Sequence, residues 1–169
     1  MNANLLYRQA LSNEKESLKQ LGLLSYNQFS KILALADWET MHGFLNSDNM
    51  WDKLVSGATT FVCEDAGKFV GMAYLVPSGN PTHIYPADWS YVRMVGVDPE
   101  YRGNGIARRL TSMCVDHARK SGEAVVGLHT SAMMDDARHI YESMGFRIER
   151  EIEPIYGMQY WLYRLDLQS

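Results

Sequence analysis

The run Val95-Gly96-Val97-Asp98-Pro99-Glu100-Tyr101-Arg102-Gly103-Asn104-Gly105-Ile106-Ala107 sets a β-branched stretch, a proline turn, two glycines and the start of an apolar-striped helix in direct succession. Such an order is suited to holding an anion. The first N–H groups of a helix have no intrahelical partner and sit at the positive end of its dipole, so a pyrophosphate there gains several directed hydrogen bonds. Glycines at 103 and 105 let the backbone come close to it without a Cβ in the way. Neither the GxGxxG of a dinucleotide fold nor the GxxxxGK[ST] of a P-loop is present. On residue types alone the segment suits any phosphate-bearing ligand, and an ordinary tight turn before a helix would carry the same glycines.

Arg102, Gly105 and Ala107 occupy the three defining places of a Q/R-x-x-G-x-G/A pattern. With it the chain resembles the GNAT superfamily of acyl-CoA-dependent N-acyltransferases. The strand ahead of the pattern, Val95 to Glu100, shares the likeness, and Ala137, Tyr141, Gly145 and Phe146 look like that family's A-x-x-x-Y-x-x-x-G-F block. Together these segments cover roughly the second half of the chain; the first half matches only in the coarse order of its elements.

The resemblance implies acetyl-CoA as cofactor, with the backbone of Arg102, Gly103, Asn104, Gly105, Ile106, Ala107 and Arg108 around the pyrophosphate. It implies that Val95, Gly96 and Val97 line the pantetheine arm, Val97 pairing with it like an added strand and Val95 aiming its N–H at the thioester carbonyl. Tyr141 falls where the family places the tyrosine that meets the coenzyme A sulfur and protonates the departing thiolate. Read without the resemblance, Tyr141 is a core aromatic sharing a helical stripe with Ala137, Ile140 and Met144, and Val95 is a core valine.

Attack by an alkyl amine needs its neutral form, and taking a lysine-like amine of pKa about 10.4 to that form at pH 7 costs roughly 4 to 5 kcal/mol. Members of the family often carry Glu or His at the positions that are Tyr91 and Arg93 here, and neither of these is a base at neutral pH. His129, or a water chain through Tyr91, is the expected proton acceptor. Met134 stands where many members have an asparagine, and Asp135 and Asp136 are expected to cap the following helix. A period of two puts Tyr91, Arg93, Val95 and Val97 on one strand face, turning Arg93 either toward an acceptor carboxylate or phosphate or into an internal ion pair. Trp38, Trp51, Tyr85 and Trp89 are candidates for an acceptor pocket or for plain core.

The elements that must position these residues follow from periodicity. Strands are expected at Asn4 to Gln9, Trp89 to Val97, Ala124 to Thr130, Phe146 to Glu151 and Tyr160 to Leu167, and a hairpin from Thr59 to Cys63 and Lys68 to Val76. A helix follows a weak Asn13/Glu16 capping box, one or two short helices lie between Ser25 and Ser56, and further helices span Gly105 to Lys120 and the Ala137 stripe, which Gly145 ends. Three of the five prolines fall between Pro77 and Pro86, predicting an exposed loop on the substrate side. The sum is an α/β (α+β) domain in which helices cover a mostly antiparallel sheet; the resemblance implies a GNAT-like fold, a mixed sheet of six or seven strands covered by helices on both faces.

At 169 residues the chain is expected to be one domain, 1–169, with the 46% hydrophobic and 21% charged composition of a globular protein. A formal net charge of -4 provides no general field for nucleic acid or anionic membrane. No apolar run reaches the length of a membrane span, Met1 to Arg8 is not built like a signal peptide, and the expected location is cytoplasmic. The two cysteines, Cys63 and Cys114, and the five histidines show no metal-ligand spacing, so no metal is expected.

The resemblance implies an N-acetyltransferase that moves acetyl from acetyl-CoA to a small-molecule or peptide amine by direct transfer. A homodimer is the expected assembly. Two other readings stand beside it: a coenzyme A-binding sensor without turnover, and an interaction protein that uses Pro154 to Tyr160 as an exposed dimerisation segment.

Overall fold

The computed structural model describes residues 4–167, so residues 1–3 and 168–169 of the expected domain lie outside the described residues. Along the chain run β1 (Leu5–Gln9), α1 (Lys15–Tyr26), a 3-10 helical turn (Asn27–Lys31), α2 (Leu35–Leu45), α3 (Asp48–Gly57), β2 (Thr59–Asp65) and β3 (Lys68–Val76). After a loop come β4 (Ser90–Val97), α4 (Ile106–Lys120), β5 (Val125–Ser131), α5 (Asp135–Ser143), β6 (Arg147–Ile155) and β7 (Met158–Asp166). The strands form one seven-stranded sheet in the order β1-β2-β3-β4-β5-β7-β6. Every neighbouring pair is antiparallel except β4 and β5.

Alternation along β2 and β3 feeds the two faces. Phe61, Cys63, Ala73 and Leu75 pack under α4 with Ile106, Leu110 and Cys114. Val62, Met72 and Tyr74 pack under α1 to α3 with Leu18, Leu21 and Trp51. Because β3 is covered on both sides, its sequence is a nearly continuous apolar run rather than an alternating one. The β2–β3 hairpin closes on Ala66 and Gly67, both at positive φ (51 and 84), the handedness that matches strand twist in a two-residue turn. Gly145 (φ 101) ends α5: its N–H donates to the Glu142 carbonyl, the Phe146 N–H donates to the Tyr141 carbonyl, and the Tyr141 and Phe146 rings meet edge to face.

Several expectations are corrected. No Asn13/Glu16 capping box forms; Glu14 sits at the start of α1, accepting from the Leu11 N–H at 2.7 Å and pairing with Arg8. Asp135 and Asp136 lie within the first turn of α5, behind Met134 at its N-cap, and neither caps it. Pro77 to Trp89 is irregular, as its prolines require, but it is not simply exposed: Ile84, Tyr85 and Trp89 are buried against the sheet. Pro154 to Tyr160 is no free segment either, since Tyr156 and Gly157 turn the β6–β7 hairpin and Tyr160 is buried.

One irregularity shapes the site. On β3, Met72 faces Gly96 and Tyr74 faces Arg93, so the single residue Ala73 stands against both Met94 and Val95. Met94 absorbs the extra residue at φ 54, and the bulge reverses the side-chain alternation of β4. Val95 and Val97 therefore pack on the α4 face, while Tyr91 and Arg93 face the opposite side, against the single-face expectation. Pairing of β4 with β5 is confined to Ser90↔Val126 and Tyr91↔Gly127. Beyond that rung each strand keeps only its outer neighbour, and the sheet opens as a fork.

Candidate active site

The fork is the floor of a cleft of about 940 Å³. At one end stand Gly103, Gly105, Ile106 and Ala107; Val95, Gly96 and Val97 run along it; Tyr141 and Met134 come from the α5 side. Gly103 and Gly105 adopt positive φ (82 and 74), and a Cβ built on either would meet no protein atom within 4 Å. Here glycine is required by backbone conformation and the space beside it is open. Among the described residues, no backbone N–H from Gly103 to Arg108 donates to another protein group, which leaves a row of donors at the head of α4.

Arg102 braces this loop from behind. Its guanidinium donates to the Ser25 carbonyl at 2.9 Å, to the Gln28 side chain at 2.6 Å and, more weakly, to the Val97 carbonyl at 3.4 Å. The side chain thus ties the glycine loop to the last turn of α1 and to the end of β4. Asn104 holds the loop from within by donating to the Tyr101 carbonyl at 2.9 Å. Arg108 points along the helix surface and binds the Ser143 hydroxyl.

The other half of the cleft is walled by phenols. Tyr26 reaches over from α1 and donates to the Val95 carbonyl at 3.1 Å, fixing the peptide at the bulge. Tyr85 and Tyr91 stack face to face, ring centroids 4.0 Å apart, and the Tyr91 hydroxyl donates to the Asn80 carbonyl at 3.0 Å. Burial pushes the Tyr26, Tyr85, Tyr91, Tyr141 and Tyr156 hydroxyls above the ordinary phenol value and Tyr160 up to about 12, so all keep their protons at neutral pH. His129 moves the other way. Desolvation, then the charges of Arg93 and His83, push it down to about 4.

Residues 26–146 match the Acetyltransferase (GNAT) family. The chain belongs to that family. Two curated relatives are a mycothiol acetyltransferase of Thermomonospora curvata, 33% identical over 53% of this chain and 28% of its own length, and N-acetyltransferase 8F1 of Mus musculus, 33% identical over 55% of this chain and 41% of its own. The chain thus spans less than half the length of either. Among solved structures, the PaiA N-acetyltransferase of Thermoplasma acidophilum in complex with coenzyme A superposes with a TM-score of 0.77 at 13% identity, covering 96% of this chain and 99% of that one. The GNAT fold expected from the motifs is the fold observed.

The residues singled out by the GNAT pattern divide between two ends of one cleft. Val95, Gly96, Val97, Arg102, Gly103, Gly105, Ile106, Ala107 and Tyr141 line it together, and Tyr91 and His129 line its far half. Asn104 and Arg108 act at the rim through the contacts above. Trp51 and Trp89 are core, the former donating its Nε1–H to the Leu45 carbonyl at 2.7 Å; Tyr85 alone of the four proposed aromatics lines the cleft. Tyr26, Phe44, Tyr156 and Tyr160 were not legible as site residues, because each comes from an element whose place over the fork depends on tertiary packing. Both cysteines are buried, and among the described residues no His, Cys, Asp and Glu cluster could hold a metal.

Proposed function

We propose that this GNAT chain transfers an acetyl group from acetyl-CoA directly to the amine of a small-molecule or peptide acceptor. The observation that carries the reading is the β4–β5 fork, opened by the Met94 bulge and headed by the free N–H row of α4. When bound, acetyl-CoA supplies the activated thioester acyl group and a thiol leaving group.

The residues present suit that group. Backbone N–H groups from Gly103 to Arg108 hold the pyrophosphate, and the open Cβ directions at Gly103 and Gly105 give it room. Val97 offers its backbone along the unpaired edge of the fork, and the Val95 N–H serves the acyl oxygen at the bulge that Tyr26 fixes. Tyr141 keeps its phenolic proton because burial raises its pKa, so Oη is a hydrogen-bond donor to the sulfur, and its position there lets it pass the proton to the departing thiolate. A proton leaving the amine passes to water beside Tyr91; His129, its pKa pushed down to about 4 and its Nδ1 held by the Tyr85 hydroxyl, accepts it only if that contact is given up. Burial raises the thiol pKa of both Cys63 and Cys114, which supports direct transfer over a cysteine-bound acyl group.

Calorimetric titration with acetyl-CoA, beside desulfo-CoA and ATP, tests the reading. Low-micromolar acetyl-CoA binding with weak ATP binding is expected, followed by amine-dependent thiol release. No binding would return the glycine loop to a structural turn. The reading also carries a cytoplasmic location and a homodimer, the latter read directly by light scattering.

A further inference from the structure

We infer that Arg93 is the carboxylate anchor of the acceptor end of this cleft, and that the acceptor is a free amino acid or similar carboxylate-bearing amine with an apolar or aromatic body. The inference rests on the acetyltransferase reading and names its substrate class.

Arg93 lies two residues past the last β4–β5 rung, Tyr91↔Gly127, and lines the cleft on the face away from Val95 and Val97. Among the described residues no carboxylate lies within 4.0 Å of it and no group hydrogen-bonds it; its guanidinium carbon stands 5.9 Å from the centre of the Phe44 ring. Arg8, Arg138, Arg147 and Arg164, by contrast, each hold a carboxylate of this chain. A half-buried guanidinium without an anion loses hydration and gains little in return. Its planar fork matches a carboxylate in two-point geometry.

The surroundings narrow the ligand further. Phe44, Tyr85, Tyr91 and Tyr156 supply aromatic wall, and Met41 and Leu45 supply aliphatic wall. Burial keeps the phenols protonated and His129 neutral, so none of them neutralises or competes with the guanidinium. Arg102, the other arginine on the cleft, is committed to Ser25 and Gln28. Asp135 and Asp136 line the α5 side without pairing with Arg93, and Asp135 stands 3.8 Å from the Arg138 guanidinium. A polyamine would bring like charge to Arg93 and is disfavoured. The loop carrying Thr82 to Tyr85 walls this end and is tied to β4 through Tyr91 and to β5 through His129, which suits a small acceptor over a long peptide.

The test compares phenylalanine with phenethylamine and phenylalaninamide in the thiol-release assay, for the wild type, Arg93→Met and Arg93→Lys, with acetyl-CoA binding of each measured by calorimetry. The wild type is expected to favour phenylalanine over both analogues that lack the carboxylate by about 10- to 100-fold in kcat/KM, the range of a charge-assisted hydrogen-bonded pair. Arg93→Met should collapse that ratio to about 1, and Arg93→Lys should restore part of it. Equal or better turnover of phenethylamine or phenylalaninamide by the wild type, an unchanged ratio in Arg93→Met, or no acetylation of phenylalanine by a protein that binds acetyl-CoA, would each overturn the inference while leaving the cofactor reading intact. Failure of the wild type to bind acetyl-CoA would overturn both.

Discussion

The Tyr85 hydroxyl lies 2.6 Å from Nδ1 of His129, and this contact governs what the histidine can do. The phenol keeps its proton under burial, and the ring is neutral with its pKa near 4, so Tyr85 donates and the ring proton rests on Nε2. The lone pair that would accept a proton from an incoming amine is already engaged.

A first prediction concerns pH and stability. The folded pKa of His129, about 4, lies below its ordinary value of 6.5, so between these two the unfolded chain binds more protons than the folded one. Stability from the neutral ring is complete above pH 6.5 and is lost as pH falls toward 4. Between those limits the wild type should lose up to about 3 kcal/mol more than His129→Gln in urea denaturation. Parallel pH profiles for the two proteins would show that the ring is not held neutral.

A second prediction concerns Tyr141, whose raised pKa keeps its hydroxyl protonated throughout the working pH range, as the proposed donor role at the sulfur requires. Tyr141→Phe keeps the ring packed against Phe146 and removes only the hydroxyl. In steady-state kinetics kcat should drop about 100-fold, with acetyl-CoA affinity held within about threefold. An unchanged kcat would reduce Tyr141 to a core aromatic.

Arg102 leads to a third prediction. It touches the Ser25 and Val97 carbonyls and Gln28, so its side chain positions the glycine loop, and the proposed anion contact falls to the backbone. Arg102→Met should weaken acetyl-CoA binding about tenfold and lower stability by about 0.5 to 1.5 kcal/mol, the net worth of an ordinary hydrogen bond, since the part-buried Ser25 carbonyl loses its donor. Loss of affinity with no loss of stability would instead mark Arg102 as a direct phosphate ligand.

What could be read in advance was local. The glycine loop, the Tyr141 helix with its Gly145 end and the β2–β3 hairpin are set by neighbours within a few residues, and each formed where periodicity and turn chemistry put it. The Met94 bulge could not be read so. Met94 is a β-branched-free, non-glycine residue at φ 54, held there by strand register with β3, and it reversed the expected faces of Arg93 and Val95. Tyr26 was illegible for a like reason: its hydroxyl meets the Val95 carbonyl across 69 residues of chain. The prolines of the Pro77 to Pro86 loop ruled out regular structure but carried no sign that Tyr85 would stack on Tyr91.

The last prediction sets two glycines against each other. At Gly105 the backbone is left-handed (φ 74) and a Cβ would point into open space, so Gly105→Ala should cost about 1 kcal/mol of stability through φ alone. On the proposed cofactor placement the same methyl would meet the pyrophosphate, and acetyl-CoA affinity should fall more than tenfold. Gly127 has ordinary backbone but no room: a Cβ there would lie 2.7 Å from Trp89 Cε3 and 3.1 Å from Tyr85 Cε1. Gly127→Ala should lower stability by about 1 to 3 kcal/mol as those rings shift. Because Tyr85 lines the half of the cleft proposed for the acceptor, the variant's KM for the amine should rise while acetyl-CoA affinity changes little. Denaturation curves and calorimetry on the two variants separate the ends of the cleft, and a matching loss of acetyl-CoA affinity in both would show that the fork behaves as a single site rather than as a cofactor end and an acceptor end.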